Sequence, residues 1–292
     1  MEVFQPTSLE EALEVRRRSS PVVVAGGTDL MVAVNARRER PSALLDLSRI
    51  GRLRGIRHDT GRTLVGALTT FSDLVRTPGC PPVLAAASRT VGSPQIRNRG
   101  TVGGNLATGS PAGDALPPLV ALGAEVSVRS ATRGTRTIPV HAFLLGPKRT
   151  ALAEDELIVE VSWPATDGPQ LFSKVGPRNA MVIAVASVAL VLDPRTRRCR
   201  LALGAVAPTV VRAAAAEALL NDALAEAGAW EQPAAEVGDD VLADVGRLAA
   251  TTAEPIDDHR GTAGYRRHAV EVLSRRVAGW AVDDLRALVG GA

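Results

Sequence analysis

Residues 95–123 read QIRNRGTVGGNLATGSPAGDALPPLVALG, and the fold turns on how this stretch is read. Its first part, residues 97–113, is rich in glycine and small polar side chains, which predicts a long loop. Loops of that length without structure of their own are commonly functional. Residues 114–124 then predict a short helix, with Pro117 and Pro118 in its first turns, where a missing N–H costs nothing. The Gly103-Gly104 pair inside the loop has an echo upstream. Residues 22–30 read VVVAGGTDL, an apolar run that stops on Gly26-Gly27. Each pair has a hydroxyl beside it, Thr28 or Thr101. Glycine lets consecutive backbone N–H groups approach a ligand closely, and phosphate is the usual ligand of such a nest. It also serves in plain tight turns. Two such loops brought together could grip both phosphates of a dinucleotide without a lysine. Asp29 is unsuited to touching phosphate. It reads as a brace through local backbone hydrogen bonds, or as an acceptor from a sugar hydroxyl.

Working outward, Thr7/Glu10 and Ser8/Glu11 both have capping-box spacing, and Leu9, Ala12 and Leu13 supply the apolar stripe of a first helix. Residues 22–24 and 44–47 predict short strands, and residues 54–58 and 63–67 a hairpin around Asp59-Thr60-Gly61. Thr70 caps a short helix, and residues 83–91 are helical. Residues 125–129 and 135–140 alternate as a second hairpin, and residues 157–163 form a strand stopped by Pro164. The PATDGP stretch at 164–169 is the expected boundary between domains at 1–165 and 170–292. Beyond it, residues 172–175, 181–192 and 200–206 predict three antiparallel strands. Helices follow at 213–227, 239–252 and 264–282; in the last, Tyr265, Ala269, Val272, Leu273 and Trp280 share a face. Strands first and helices after give an α+β order rather than strict alternation.

The composition excludes several classes. Lys and Arg number 34 against 31 Asp and Glu, interleaved rather than in blocks, so a solvated mixed surface is expected and not a nucleic-acid footprint. Aromatics are only 3%, too few for stacking platforms. The longest apolar run, residues 181–192, is too short to span a bilayer. The N-terminus lacks a signal-peptide core, and a cytoplasmic location is expected. Cys80 and Cys199 are too few to ligate an iron–sulfur cluster. Neither glycine loop is followed by GK[ST], and neither is GxGxxG. The polar, basic VNARRERP at 34–41 makes a poor Rossmann crossover helix. The acid pairs Asp239-Asp240, Asp257-Asp258 and Asp283-Asp284 sit near helix starts or turns, where capping accounts for them. No side chain is singled out as a catalytic acid or base, and the histidines show no metal spacing.

The 95–123 stretch closely resembles the second FAD loop of the flavoprotein subunits of molybdenum hydroxylases, a family that includes the medium subunit of carbon monoxide dehydrogenase and the flavin subunit of xanthine dehydrogenase. VVVAGGTDL resembles the first. Gly66-Ala67-Leu68-Thr69, Leu157-Ile158, the run FSKVGPRNAMVIAVASVAL at 172–190 and the RGTAGYRRHAVEVLSRR ending at 260–276 are similar to the same family, in order and over nearly the whole chain. The resemblance implies an N-terminal FAD-binding domain of two small α/β subdomains (the PCMH type) and a C-terminal domain with a three-stranded antiparallel sheet and a helical bundle. It implies that Ala25, Gly26, Gly27, Thr28, Asp29 and Leu30 wrap the FAD pyrophosphate, and that Thr101, Val102, Gly103, Gly104 and Asn105 supply the second set of contacts. Asp114 matches an aspartate that meets FAD through hydroxyls. Ile158 matches an apolar residue lying against the cofactor, and Lys174 a lysine near the flavin. The segment TVGSPQ at 90–95 has no aromatic where some relatives place a ring over the flavin. The implied function is that of an FAD-dependent oxidoreductase subunit, passing electrons from a small iron–sulfur subunit through FAD to an external acceptor. The 2Fe–2S clusters and the molybdenum cofactor would sit on that small subunit and on a large molybdopterin-binding subunit, the whole a dimer of heterotrimers. Two alternatives stay open: a stand-alone reductase of the same flavin-binding type, and a flavin-free scaffold subunit.

Overall fold

A computed structural model describes residues 1–291. The chain folds into two compact units that share it in alternating segments. The first comprises Met1–Cys80, Val91–Ser110 and Ala124–Pro164; the second comprises Pro81–Thr90, Pro111–Gly123 and the chain from Ala165 onward.

The first unit opens with β1 (Glu2–Phe4), α1 (Leu9–Ser19), β2 (Val22–Val24), α2 (Leu30–Asn35) and β3 (Ala43–Asp46). The strands form a parallel sheet in the order β1-β3-β2. Of the two candidate caps, Ser8 starts α1, its hydroxyl accepting from the Glu11 N–H at 3.2 Å. Leu9, Ala12 and Leu13 are buried and pack with Leu45 of the central strand. The predicted hairpin is present as β4 (Ile56–Asp59) and β5 (Arg62–Gly66). Its turn residues Thr60 and Gly61 have φ of 44° and 74°, the left-handed pair that a two-residue hairpin requires. Thr70 and Asp73 form a full capping box at the start of α3 (Phe71–Arg76).

After α4 (Pro82–Thr90), counted in the second unit, the expected loop at 97–113 is largely helical. It contains the end of α5 (Pro94–Arg99) and all of α6 (Val102–Thr108). The cause is capping: the Ser93 hydroxyl with Pro94 behind it starts α5, the Thr101 hydroxyl starts α6, and Gly109 ends it at φ 54°. Then come α7 (Leu116–Ala121), β6 (Glu125–Ser130), β7 (Gly134–Pro139), α8 (Val140–Phe143), β8 (Leu144–Gly146), β9 (Arg149–Thr150) and β10 (Glu156–Pro164). The first unit's second sheet is antiparallel, in the order β4-β5-β10-β6-β7.

In the second unit, β11 (Gln170–Val175), β12 (Ala186–Asp193), β13 (Arg198–Gly204) and the two-residue β14 (Val211–Arg212) form one antiparallel sheet, so the expected three strands gain a short fourth. The middle strand is shorter than expected, starting at Ala186 rather than at 181; Met181 takes a left-handed φ of 50°, which extended pairing does not allow. Every residue of β12 is buried, and α4 and α7 pack on this sheet together with α9 (Ala214–Glu226) and α11 (Ala263–Gly290). Between them in sequence, α10 (Asp239–Thr252) packs on both α9 and α11. The expected apolar face of α11 is rotated. Tyr265 and Trp280 are exposed, while Arg266 is buried with its guanidinium donating to the Val185 and Ala205 carbonyls at 2.8 Å each and to Asp258.

Candidate functional site

The first glycine loop leaves β2 with Ala25 packed against the core, turns at Gly27 (φ 76°) and enters α2. Among the described residues, the backbone N–H groups of Ala25, Gly26, Gly27, Thr28 and Asp29 make no hydrogen bond within the chain. Five consecutive donors are thus left for something outside it. Residues 25–28 and Leu30 are half-buried and Asp29 is exposed, so the row is reachable from solvent. Asp29 does not cap α2. Its Oδ2 accepts from the Thr108 hydroxyl at 3.3 Å, tying the first loop to α6.

The second glycine pair is built differently. Val102 N–H donates to the Thr69 carbonyl at 3.1 Å and Gly103 N–H to the Ala67 carbonyl at 2.8 Å. Gly104 N–H donates to Thr101 Oγ1 at 3.1 Å and Asn105 N–H to the Thr101 carbonyl at 3.0 Å. The sequence-level expectation that both loops offer rows of free N–H groups therefore applies to the first alone. The Gly103 side of α6 lies flush on Ala67: a Cβ there would sit 2.7 Å from the Ala67 Cβ. Asn105 contributes instead a buried side-chain Oδ1 with no partner.

The two loops touch through Gly26. A Cβ at this position would lie 2.0 Å from the Arg99 carbonyl oxygen and 3.0 Å from Gly100 Cα, so only glycine lets the backbone at 99–100 pass. The first unit thus brings Ala25, Gly26, Gly27, Thr28 and Asp29 together with the segment that ends in Thr101, Val102, Gly103, Gly104 and Asn105. Ile158 lies on β10 of the same unit, nearly fully buried and paired in register with Val128.

Asp114 and Lys174 belong to the second unit and meet there. Lys174 Nζ lies 2.7 Å from Asp114 Oδ2 and donates to the Thr90 carbonyl at 3.2 Å, with side chains 6% and 9% exposed. Burial raises the Asp114 carboxyl, the Lys174 ammonium pulls it part of the way back, and the net value is about 6. Asp114 Oδ1 is buried and unpartnered. Two features were not legible beforehand. Thr108, the partner of Asp29, carries no motif of its own, and the Thr90 carbonyl is a backbone atom with no sequence signal.

The FAD binding domain in molybdopterin dehydrogenase matches residues 1–166, and the CO dehydrogenase flavoprotein C-terminal domain matches residues 172–281. The chain is 32% identical over 292 residues to the carbon monoxide dehydrogenase medium chain of Hydrogenophaga pseudoflava, covering 96% of this chain and 97% of that one. It is 37% identical over 195 residues to the nicotinate dehydrogenase FAD-subunit of Eubacterium barkeri, covering 63% and 66% of the two chains. Among solved structures, carbon monoxide dehydrogenase from Hydrogenophaga pseudoflava superposes with a TM-score of 0.85 at 31% identity, over 97% of this chain and 98% of that one. The chain belongs to the FAD-binding flavoprotein family of the molybdopterin dehydrogenases.

Proposed function

We propose that this chain is the FAD-carrying subunit of a multi-subunit molybdenum hydroxylase. The observation that carries the reading is the row of five unpaired backbone donors at Ala25, Gly26, Gly27, Thr28 and Asp29. These N–H groups belong to half-buried or exposed residues and have no acceptor within the chain, and a consecutive run of such donors suits a diphosphate. The buried, unpartnered Asn105 Oδ1 fits the same group, since it can accept from a hydroxyl or amine of a dinucleotide. When bound, FAD supplies reversible two-electron chemistry that links one-electron carriers to an external acceptor.

The protein's part is to bind and orient. The first loop donates to the diphosphate. Leu30 and Ile158 offer apolar contact, and residues Thr101, Val102, Gly103, Gly104 and Asn105 hold the opposing wall rigid through α6. Asp29, already engaged by Thr108, acts as a brace. Asp114 accepts from cofactor hydroxyls, and Lys174 places a cation that favours negative charge on the flavin. These residue roles rest on the family resemblance together with the local geometry of each residue. The proposal keeps the division into residues 1–165 for FAD and 170–292 for the C-terminal domain, which the family matches over 1–166 and 172–281 support. The expected partners are a small iron–sulfur subunit and a large molybdopterin-binding subunit, assembled as a dimer of heterotrimers. This reading draws on relatives named as medium chains and FAD subunits of dehydrogenases. No described helix is long and apolar enough to cross a membrane, and a cytoplasmic setting suits two cysteines that form no disulfide with each other.

The test is flavin content. The chain purified from its native host should carry flavin absorbance, and the stripped chain should regain it on incubation with FAD. A chain that stays colourless after that incubation overturns the proposal.

A further inference from the structure

Helix α2, LMVAVN, is apolar in all but its last residue, yet none of its side chains is fully buried: Leu30, Ala33 and Val34 are half-buried and the rest exposed. Met31 is 45% exposed and Val32 63%. The sheet it connects is bare on the same terms. Val3, Leu44 and Val22 stand in one cross-strand row, on the face opposite buried Leu45, and both Val3 and Val22 are exposed. The helix runs directly into Arg37, Arg38, Glu39 and Arg40, all exposed. Among the described residues, no side chain of these four makes a hydrogen bond or an ion pair. An apolar helix that leaves Met31 and Val32 bare, followed by three guanidinium groups without partners, has the composition of an interface: an apolar centre with a charged rim, rich in Arg.

We infer that α2 and the 37–40 arm form a docking surface for a different polypeptide, one presenting an apolar depression edged by Asp and Glu. A second copy of this chain is disfavoured, because a self-complementary contact would set the arginine arm against its own like charge. A bilayer surface is disfavoured too. Fewer than two helical turns without a single aromatic offer little to bury among acyl chains. The inference rests on the multi-subunit reading above and names the face of this chain that the assembly would use.

The experiment compares the complex purified through a tag on this chain with the same preparation carrying Arg37→Glu, Arg38→Glu and Arg40→Glu together, and with Val32→Asp alone. Flavin per chain and the stoichiometry of co-purifying iron–sulfur and molybdenum subunits are measured across a salt series. Both variants should keep wild-type flavin. The triple variant should bind at least one partner subunit about tenfold more weakly or worse at low salt, with a flattened salt dependence. The Val32→Asp variant should weaken the same partner at every salt concentration. Identical partner stoichiometry and salt dependence in all three preparations overturns the docking face alone. A wild-type chain that carries flavin but neither partner overturns the multi-subunit reading and the docking face with it. Loss of self-association in the variants, or loss of binding to phosphatidylserine vesicles, with partner subunits retained, also overturns the assignment.

Discussion

A single carbon atom separates the two glycines of the first loop in their roles. At Gly26 an added Cβ would meet the Arg99 carbonyl at 2.0 Å, well inside contact distance, and the obstacle is backbone that cannot rotate away. At Gly27 the space is open, the nearest atom being Met31 Cγ at 3.5 Å, but φ is 76°. Gly26→Ala must therefore part the loops, at a cost of about 3 kcal/mol, whereas Gly27→Ala strains only its own backbone, by about 1 kcal/mol. Denaturant unfolding should rank them in that order, and flavin retention should fall far more in Gly26→Ala. Equal stability and full flavin in Gly26→Ala would show that the loops tolerate separation. The Asp114 carboxyl makes a second residue-scale prediction. Its folded value is raised to about 6 from an ordinary 3.8, so the native chain holds the extra proton between those values. Stability of the flavin-free chain should then fall as pH rises through this window, by about 3 kcal/mol in all, and level off above it. Asp114→Asn should flatten that slope when unfolding is followed at pH values on both sides of the window.

At the scale of elements, α6 depends on Thr101, whose hydroxyl accepts from Gly104 N–H while its backbone bridges to Thr70. Thr101→Ala should lose about 1 kcal/mol and Thr101→Ser much less, since serine keeps the capping oxygen. Indistinguishable unfolding midpoints for the two would remove the cap from the account. The same helix shows where sequence reading works and where it stops. The hairpin with the Thr60-Gly61 turn, the Thr70 cap and the buried run that holds β12 were legible, because each rests on local chemistry or on a simple period. The helices α5 and α6 were not, although Ser93-Pro94 and Thr101 are ordinary starts. Gly103 and Gly104 lower helix propensity, and the Thr101 cap together with the fit of Gly103 against Ala67 offsets that. The glycine pairs were legible as special, but their division of labour was not. Whether an N–H is free or spent on the Ala67 or Thr69 carbonyl depends on a chain segment more than thirty residues away. The face of α11 failed for a related reason: Arg266 is inward because two strand-end carbonyls and Asp258 receive its guanidinium. A periodicity argument places arginine outside by default.

At the scale of the molecule, the second unit is assembled from three stretches of chain, and this constrains how the protein can be cut. Helices α4 and α7 precede the break at Pro164 in sequence, yet they pack on the sheet formed by β11, β12 and β13. Val83, Leu84 and Ala87 of the one, and Leu116, Leu119 and Val120 of the other, are all buried. A fragment ending at residue 165 would keep both helices and lose the sheet beneath them. Uncovering five large aliphatic side chains at about 1.5–3 kcal/mol each forfeits on the order of 10 kcal/mol, as much as the net stability of an ordinary domain. The fragment should thus be insoluble, or expanded and strongly dye-binding, even though it contains every residue of the two glycine loops. Co-expression with residues 166–292 should restore solubility, because the missing sheet is supplied in trans. The measurements are soluble yield and hydrophobic-dye fluorescence, each with and without the second fragment. A fragment of residues 1–165 that is soluble, compact and flavin-binding on its own would mean that α4 and α7 find other cover, and that the flavin-binding half folds without the unit to which these two helices belong.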